Sequence, residues 1–165
     1  VELAARRYPR LTWVVANADR TLPYPDEAFD FVLSVAARRN GPEIRRVLSG
    51  EGRALFVVPA EDDLIEVRRA LLGRGDRRDR SAAAIDALSP HLELVERRAW
   101  KRRASLGARD VADLLASTYR GARFSQRDRA GEIAPLDVTL SRELLLFRRI
   151  RGAVSRLRIT GRAFP

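Results

Sequence analysis

Two short apolar runs end in residues able to do chemistry. Leu11 to Ala16 is followed by Asn17 and Asp19, and Phe29 to Val35 is followed by Arg38, Arg39 and Asn40. An amide or carboxylate just past a strand can accept from an exocyclic amino group such as that of adenine. The backbone N–H of Ala18 can donate to a ring nitrogen. Paired arginines can hold a phosphate or a base edge through two bonds each. In open α/β sheets, ligands sit at the carboxyl ends of strands, where these residues fall. Taken alone, the Asn17 turn is better accounted for as a plain capping turn, because Asn and Asp favour turns in any case. Arg38 and Arg39 are read as well as a solvated pair ahead of a helix cap.

The elements that must position these groups follow from the apolar pattern. Val1 to Tyr8 has helical spacing and is stopped by Pro9. Leu11 to Ala16, with Trp13, reads as a strand buried on both faces, as in a parallel sheet. Asn17 to Asp26 is a loop broken by Pro23 and Pro25, and Phe29 to Val35 is the second strand. Asn40 with Glu43 three residues on has capping-box spacing for a helix over Pro42 to Leu48. A turn at Ser49 to Gly52 precedes a third strand, Arg53 to Val58. A helix then runs to about Leu72, and Gly73 to Arg80 reads as a loop. A short helix covers Ala82 to Leu88, a strand His91 to Trp100, and a helix Ala108 to Tyr119. A polar loop, a long strand Leu136 to Ile150 and a basic tail complete the chain. Strands alternating with helices in the first half predict a parallel sheet, and the last two strands predict an antiparallel edge.

Several other motifs carry little. Gly50-Glu51-Gly52 and Gly73-Arg74-Gly75 match G-x-G, but neither follows a strand and opens a helix, so both read as turns. His91 is the only histidine of the chain and stands at a strand start, where a structural role is expected. Asp62, Asp63 and Glu66 have the types for a metal pair, but acids in a first helical turn are accounted for by the helix dipole.

The chain has 165 residues, enough for one domain with a real core. It has no cysteine, which excludes disulfides and cysteine-ligated zinc within these residues. No apolar run reaches the ~18 residues of a membrane span, so no membrane association and a cytoplasmic location are expected. The net charge is +10, and every basic residue except Lys101 is arginine. Arginine in place of lysine fits a GC-rich coding bias. The excess over carboxylates points instead to a polyanionic partner such as nucleic acid. Trp100 and Tyr119 are candidates for stacking bases. The chain contains no methionine and opens inside a helical pattern, so a truncated chain is expected.

Taken together, Asn17-Ala-Asp, Leu22-Pro-Tyr, Phe29-Asp, Arg38-Arg-Asn, Arg46-Val-Leu with Gly50 and Gly52, and Pro59-Ala-Glu-Asp-Asp-Leu-Ile-Glu resemble a class I S-adenosylmethionine-dependent methyltransferase. More closely they are similar to the large-subunit ribosomal RNA guanine-N1 methyltransferases, including the tylosin-resistance type. The resemblance implies a Rossmann-like α/β sheet, incomplete at the N-terminus, with an antiparallel C-terminal edge. Residues 1–150 would be the C-terminal part of the methyltransferase domain and 151–165 a disordered basic tail. The glycine-rich cofactor loop, the ribose-binding acid and a zinc-binding module are all expected upstream of Val1. Of the missing strands, the first two would lie between the strand at Leu11 and that at Phe29, so residues 1–165 alone are expected neither to fold stably nor to bind cofactor. The resemblance places S-adenosylmethionine against Asn17, Ala18, Asp19, Leu22, Ser34, Val35 and Ala36, and also Asp63, where some relatives have a histidine. Arg38, Arg39, Asn40 and Tyr119 would hold the RNA, and a homodimer is allowed. No catalytic base is assigned. Two rival readings remain: a small-molecule methyltransferase of the same fold, with an apolar lid in place of Gly73 to Arg80, and a non-catalytic RNA-binding remnant.

Overall fold

A computed structural model describes residues 1–72, 75, 77, 79–116 and 135–150. In chain order the elements are α1 (Glu2–Arg7), β1 (Phe29–Val35), α2 (Gly41–Val47), β2 (Leu48–Pro59), α3 (Ile65–Leu72), α4 (Arg80–Leu88), β3 (Leu92–Leu106), α5 (Ala108–Ala116) and β4 (Leu136–Arg149). The four strands form one sheet in the order β1-β2-β4-β3. β1 and β2 run parallel with α2 between them, while β4 is antiparallel to both β2 and β3. The α/β class and the antiparallel edge are therefore as the sequence predicts.

Alternation on β2 and β4 builds the core. Ala54, Phe56 and Val58 face one side of the sheet, and Leu145 and Phe147 join them from β4 in register. Ile44 of α2 with Ala84 and Leu88 of α4 close over this layer. Phe56 and Phe147 meet edge to face with ring centroids 5.6 Å apart, a geometry that adds to their area burial. Val138 points the other way and packs with Val111 and Leu115 of α5 and Val67 of α3. α4 is started by Asp79, whose carboxylate accepts from the N–H groups of Ser81 and Ala82.

Two sequence expectations fail, each for a physical reason. Leu11 to Ala16 joins no strand among the described residues, and its side chains are exposed, Val15 to 80%. A strand needs a neighbour for its N–H and C=O groups, and no described residue supplies one here. The turn at Ser49 to Gly52 lies inside β2 rather than between elements: Phe29 pairs with Leu48 and Phe31 with Arg53, so these four residues bulge out of the ladder. Gly52 allows the bulge, since a Cβ there would lie 2.8 Å from Cγ of the buried Leu48. His91 has the structural role expected of it. It packs so closely on the start of α2 that a Cβ at Gly41 would come within 2.7 Å of its ring. The basic tail, residues 151–165, lies outside the described residues.

β1 is the open side of the sheet among the described residues. Phe31, Leu33 and Val35 lie on the face opposite Phe56, and each is more than half exposed. An apolar strand edge with a free ladder invites pairing with other chains. Residues 1–165 expressed alone should therefore self-associate and bind a hydrophobic dye; a monomer with a cooperative melt overturns this. In the full-length protein, Phe56→Ala should cost about 3–5 kcal/mol in urea denaturation by leaving a cavity between β2 and β4.

Candidate functional site

The carboxyl end of β1 and the turn at Asn17 are brought together by one side chain. Asn40 caps α2 by accepting from the Glu43 N–H at 3.4 Å. Its Nδ2 donates to the carbonyl oxygens of Ala18 (3.0 Å) and Arg20 (2.9 Å). Asn17 holds the turn from within, its Oδ1 accepting from the Asp19 N–H at 3.0 Å and its carbonyl from the Arg20 N–H at 3.0 Å. Both amide hydrogens of Asn40 are spent on the chain, so it acts as a positioning residue rather than one reaching for a base.

The loop that follows is fixed by Glu43 and Arg46, one helical turn apart. The Glu43 carboxylate accepts from the Leu22 N–H at 2.7 Å and from Nε and Nη2 of Arg46 at 2.8 and 2.7 Å. The remaining guanidinium capacity goes to the carbonyls of Tyr24 (2.8 Å) and Leu22 (3.0 Å) and to the Asp26 carboxylate (2.9 Å). Tyr24 meets Phe29 edge to face at 4.8 Å, which joins the loop to the start of β1. The Arg46 guanidinium, helped by the Leu22 N–H, holds the Glu43 carboxyl down to about 2. In return Glu43, with Asp26, raises Arg46. Capping-box spacing drew attention to Glu43, but its carboxylate reaches Leu22 and Arg46; the clamp on a distant loop was not legible from that spacing.

β1 then ends in a strained residue. Ala36 has φ of 48°, a left-handed conformation that costs a non-glycine residue roughly 1–2 kcal/mol. Its N–H still donates to the Val57 carbonyl at 2.9 Å, so the ladder holds it there. Ser34 is half-buried beside it, and Val35 is exposed. Arg38 reaches Asp19 at 3.5 Å with both side chains largely exposed, a pair of small energetic weight. Arg39 is half-buried next to Asn40. Strand ends expected to share a site are thus adjacent: Asn17, Ala18, Asp19, Leu22, Arg38 and Asn40 form one bonded group.

Asp63 is differently employed. Its carboxylate accepts from the Ser141 N–H at 3.0 Å and from Arg142. Asp62 takes the Ser141 hydroxyl and Lys101, each at 2.5 Å. Glu66 takes the N–H and hydroxyl of Thr139 at 2.9 and 2.8 Å. The three acids rivet the segment leading into α3 onto β4 instead of merely capping a helix. Among the described residues no group of three or more His, Cys, Asp or Glu side chains is placed to hold a metal. Among the described residues no helix is long and apolar enough to cross a membrane. Tyr119 lies outside the described residues.

Removing the Asn40 amide should loosen the Ala18–Arg20 turn. Asn40→Ala is expected to cost about 1–2 kcal/mol in denaturant unfolding of the full-length protein, with protease cleavage near residue 18 rising; unchanged stability and cleavage would remove its positioning role. The Glu43 carboxyl is depressed from its ordinary value of 4.5 to about 2. The clamp's contribution is therefore complete above pH about 4.5 and is lost as pH falls toward 2. Glu43→Gln should lower stability at pH 6 and flatten the acid limb of the stability curve, measured by urea titration from pH 6 to 2.

No family model matches the chain. It is 41% identical over 95 residues to the Streptomyces fradiae 23S rRNA (guanine(748)-N(1))-methyltransferase, a match covering 58% of this chain and 34% of that one. It is 34% identical over 114 residues to a Micromonospora griseorubida protein provisionally named for guanine-N1 methylation of 23S rRNA, covering 68% of this chain and 38% of that one. The chain thus spans little more than a third of the curated relatives it matches. Among solved structures, one titled for conversion of a disulfide bond into a thioacetal group during echinomycin biosynthesis superposes with a TM-score of 0.57 at 12% identity, covering 93% of this chain and 62% of that one. The MccD protein superposes with a TM-score of 0.53 at 18% identity, covering 91% and 75%. The chain thus shares the α/β fold of these structures, and over the matched residues it is homologous to proteins named as 23S rRNA guanine-N1 methyltransferases.

Proposed function

We propose that this protein methylates N1 of a guanine in large-subunit ribosomal RNA, with S-adenosylmethionine as donor. The observation that carries the reading is the 41% identity to an enzyme named for that reaction. The bonding of the Asn17 turn to the carboxyl end of β1 supports it, because open α/β sheets take ligands at such strand ends. The residues present fit one side of such a pocket. The Asn17–Asp19 turn offers the Ala18 N–H and a carboxylate to an adenine, and half-buried Leu22 walls it. Ser34, Val35 and the strained Ala36 present backbone along the methionine portion. Strain held by a surrounding ladder is a usual mark of a functional position. Bound there, S-adenosylmethionine supplies an electrophilic methyl group.

The protein's share of the chemistry is then positioning. Guanine N1 carries a proton at neutral pH and must lose it as the methyl group arrives, with the nucleophile held in line. A guanine inside structured RNA has to be unstacked into the pocket. In this reading Arg38 and Arg39 hold its phosphate or base edge and Asn40 fixes the turn beneath. Asp63 supports the pocket through β4, and Tyr119 stacks on the RNA. The protein works in the cytoplasm on ribosomal RNA, and zinc belongs to a separate N-terminal module.

Methylation at N1 blocks the Watson–Crick edge, so reverse transcription of 23S RNA incubated with the full-length protein and S-adenosylmethionine should stop one nucleotide before a single guanine. RNA that reads through unchanged overturns the proposal. Arg38→Ala with Arg39→Ala should raise KM for RNA about tenfold, the scale of one lost bidentate contact, with the cofactor Kd unaltered.

A further inference from the structure

β3 is the far edge strand of the sheet, 15 residues long, and every residue from Val95 to Arg103 is exposed. No further strand pairs with it among the described residues. Its register with β4 is unbroken from Glu96 to Leu106, after a bulge that leaves Val95 unpaired. Successive residues therefore point to opposite faces, and residues sharing a face stand about 7 Å apart along the strand.

The two faces treat their cations differently. On one face, Arg97 is bound by Glu143 at 2.9 Å and donates to the Ser81 hydroxyl at 2.9 Å. Lys101 on that face is bound by Asp62 at 2.5 Å, and the Arg103 charge acts on Glu66. Arg97 and Lys101 are each met by a carboxylate from a neighbouring element, whereas Arg103 makes no ion pair among the described residues. The other face carries Arg98, Trp100 and Arg102. Among the described residues, Arg98 pairs only with the exposed Glu96 of its own strand. Arg102 makes no ion pair among the described residues. Trp100, between them, is 47% exposed. Charge alone would protect an edge strand from aggregation, but a half-exposed indole works against that purpose. Two cations flanking an open aromatic ring suit a nucleic-acid strand, whose bases stack on the ring while phosphates meet the cations. The +10 net charge favours the same polymer.

We infer that the Arg98–Trp100–Arg102 face of β3 is an RNA-binding stripe, separate from the strand-end pocket, that takes a single-stranded segment by stacking one base on Trp100. The choice of RNA rests on the proposed substrate; the stripe itself rests on β3.

The test is binding of a labelled 12-nucleotide single-stranded RNA to the full-length protein by fluorescence anisotropy, without cofactor, across a salt series. Trp100→Ala should weaken binding about tenfold or more, the scale of a lost stacked base, while Trp100→Phe stays within about threefold. Arg102→Ala should weaken binding and reduce the slope of log affinity against log salt by about one. Lys101→Ala, on the opposite face, should leave affinity near wild type. Native-like affinity and slope in both Trp100→Ala and Arg102→Ala overturn the inference. So does a Trp100→Leu variant that binds as well as Trp100→Phe, because the indole would then serve packing alone. Equal binding of an abasic RNA overturns base stacking in the same way. If reverse transcription shows no methylated guanine but these variants lose RNA affinity, the catalytic reading falls and the stripe stands. Methylation with unaltered RNA binding in the variants gives the reverse.

Discussion

Glu43 and Arg46 sit one turn apart on α2, and between them they tie down a loop about twenty residues earlier in the chain. The carboxylate takes the Leu22 N–H, and the guanidinium takes the Leu22 and Tyr24 carbonyls and Asp26. A Pro-rich loop has few backbone donors of its own and cannot build a ladder. Side chains of the adjacent helix must supply its order. The pair also faces inward on itself through two short bonds, so neither charge is left unpartnered when it bonds the loop. With the loop placed, Leu22 packs against the core, Tyr24 meets Phe29, and β1 enters the sheet at a defined height.

Asn40 extends the same device by one step. It starts α2 and holds the Ala18 and Arg20 carbonyls, so the helix that spans β1 and β2 also determines where the Asn17 turn lies relative to the end of β1. The site is thus assembled from α2 outward, more than from the strands themselves. This accounts for a feature otherwise at odds with strand geometry: the Asn17 turn is in place although Leu11 to Ala16 makes no sheet contact. It also clarifies the acids near residue 63. Asp62, Asp63 and Glu66 bond Ser141, Arg142 and Thr139, so they fasten the end of β2 to β4 just as Glu43 and Arg46 fasten the loop to α2.

Charge is distributed unevenly over this framework. Arg46, Arg97, Lys101, Arg142 and Arg149 are answered by carboxylates, whereas among the described residues Arg102 makes no ion pair and Trp100 beside it is exposed. The apolar counterpart is at the opposite edge, where Phe31, Leu33 and Val35 stand uncovered among the described residues. One edge of the sheet is therefore suited to a polyanion and the other to apolar protein surface.

Much was legible in the sequence because it depends on local or periodic features. The apolar runs at Phe29 to Val35 and Arg53 to Val58, the long strand from Leu136, the Asn40 cap, and the breakers at Pro23 and Pro25 pointed to the α/β class, the parallel pair and the antiparallel edge. The residue pattern across Asn17 to Glu66 was enough to point to the methyltransferase resemblance. What only the tertiary structure decided are partnerships between distant residues. Apolar, β-branched Leu11 to Ala16 reads as a buried strand, yet a strand exists only with a neighbour, and residue type does not provide one. Glycines at 50 and 52 read as a turn, but the register of β1 against β2 turns them into a bulge. Glu43 reads as half of a capping box, and Asp63 as a cap or ligand. The Glu43 carboxylate finds Leu22, and that of Asp63 finds Ser141 and Arg142, because the fold brings those groups within about 3 Å; sequence spacing encodes no such distance.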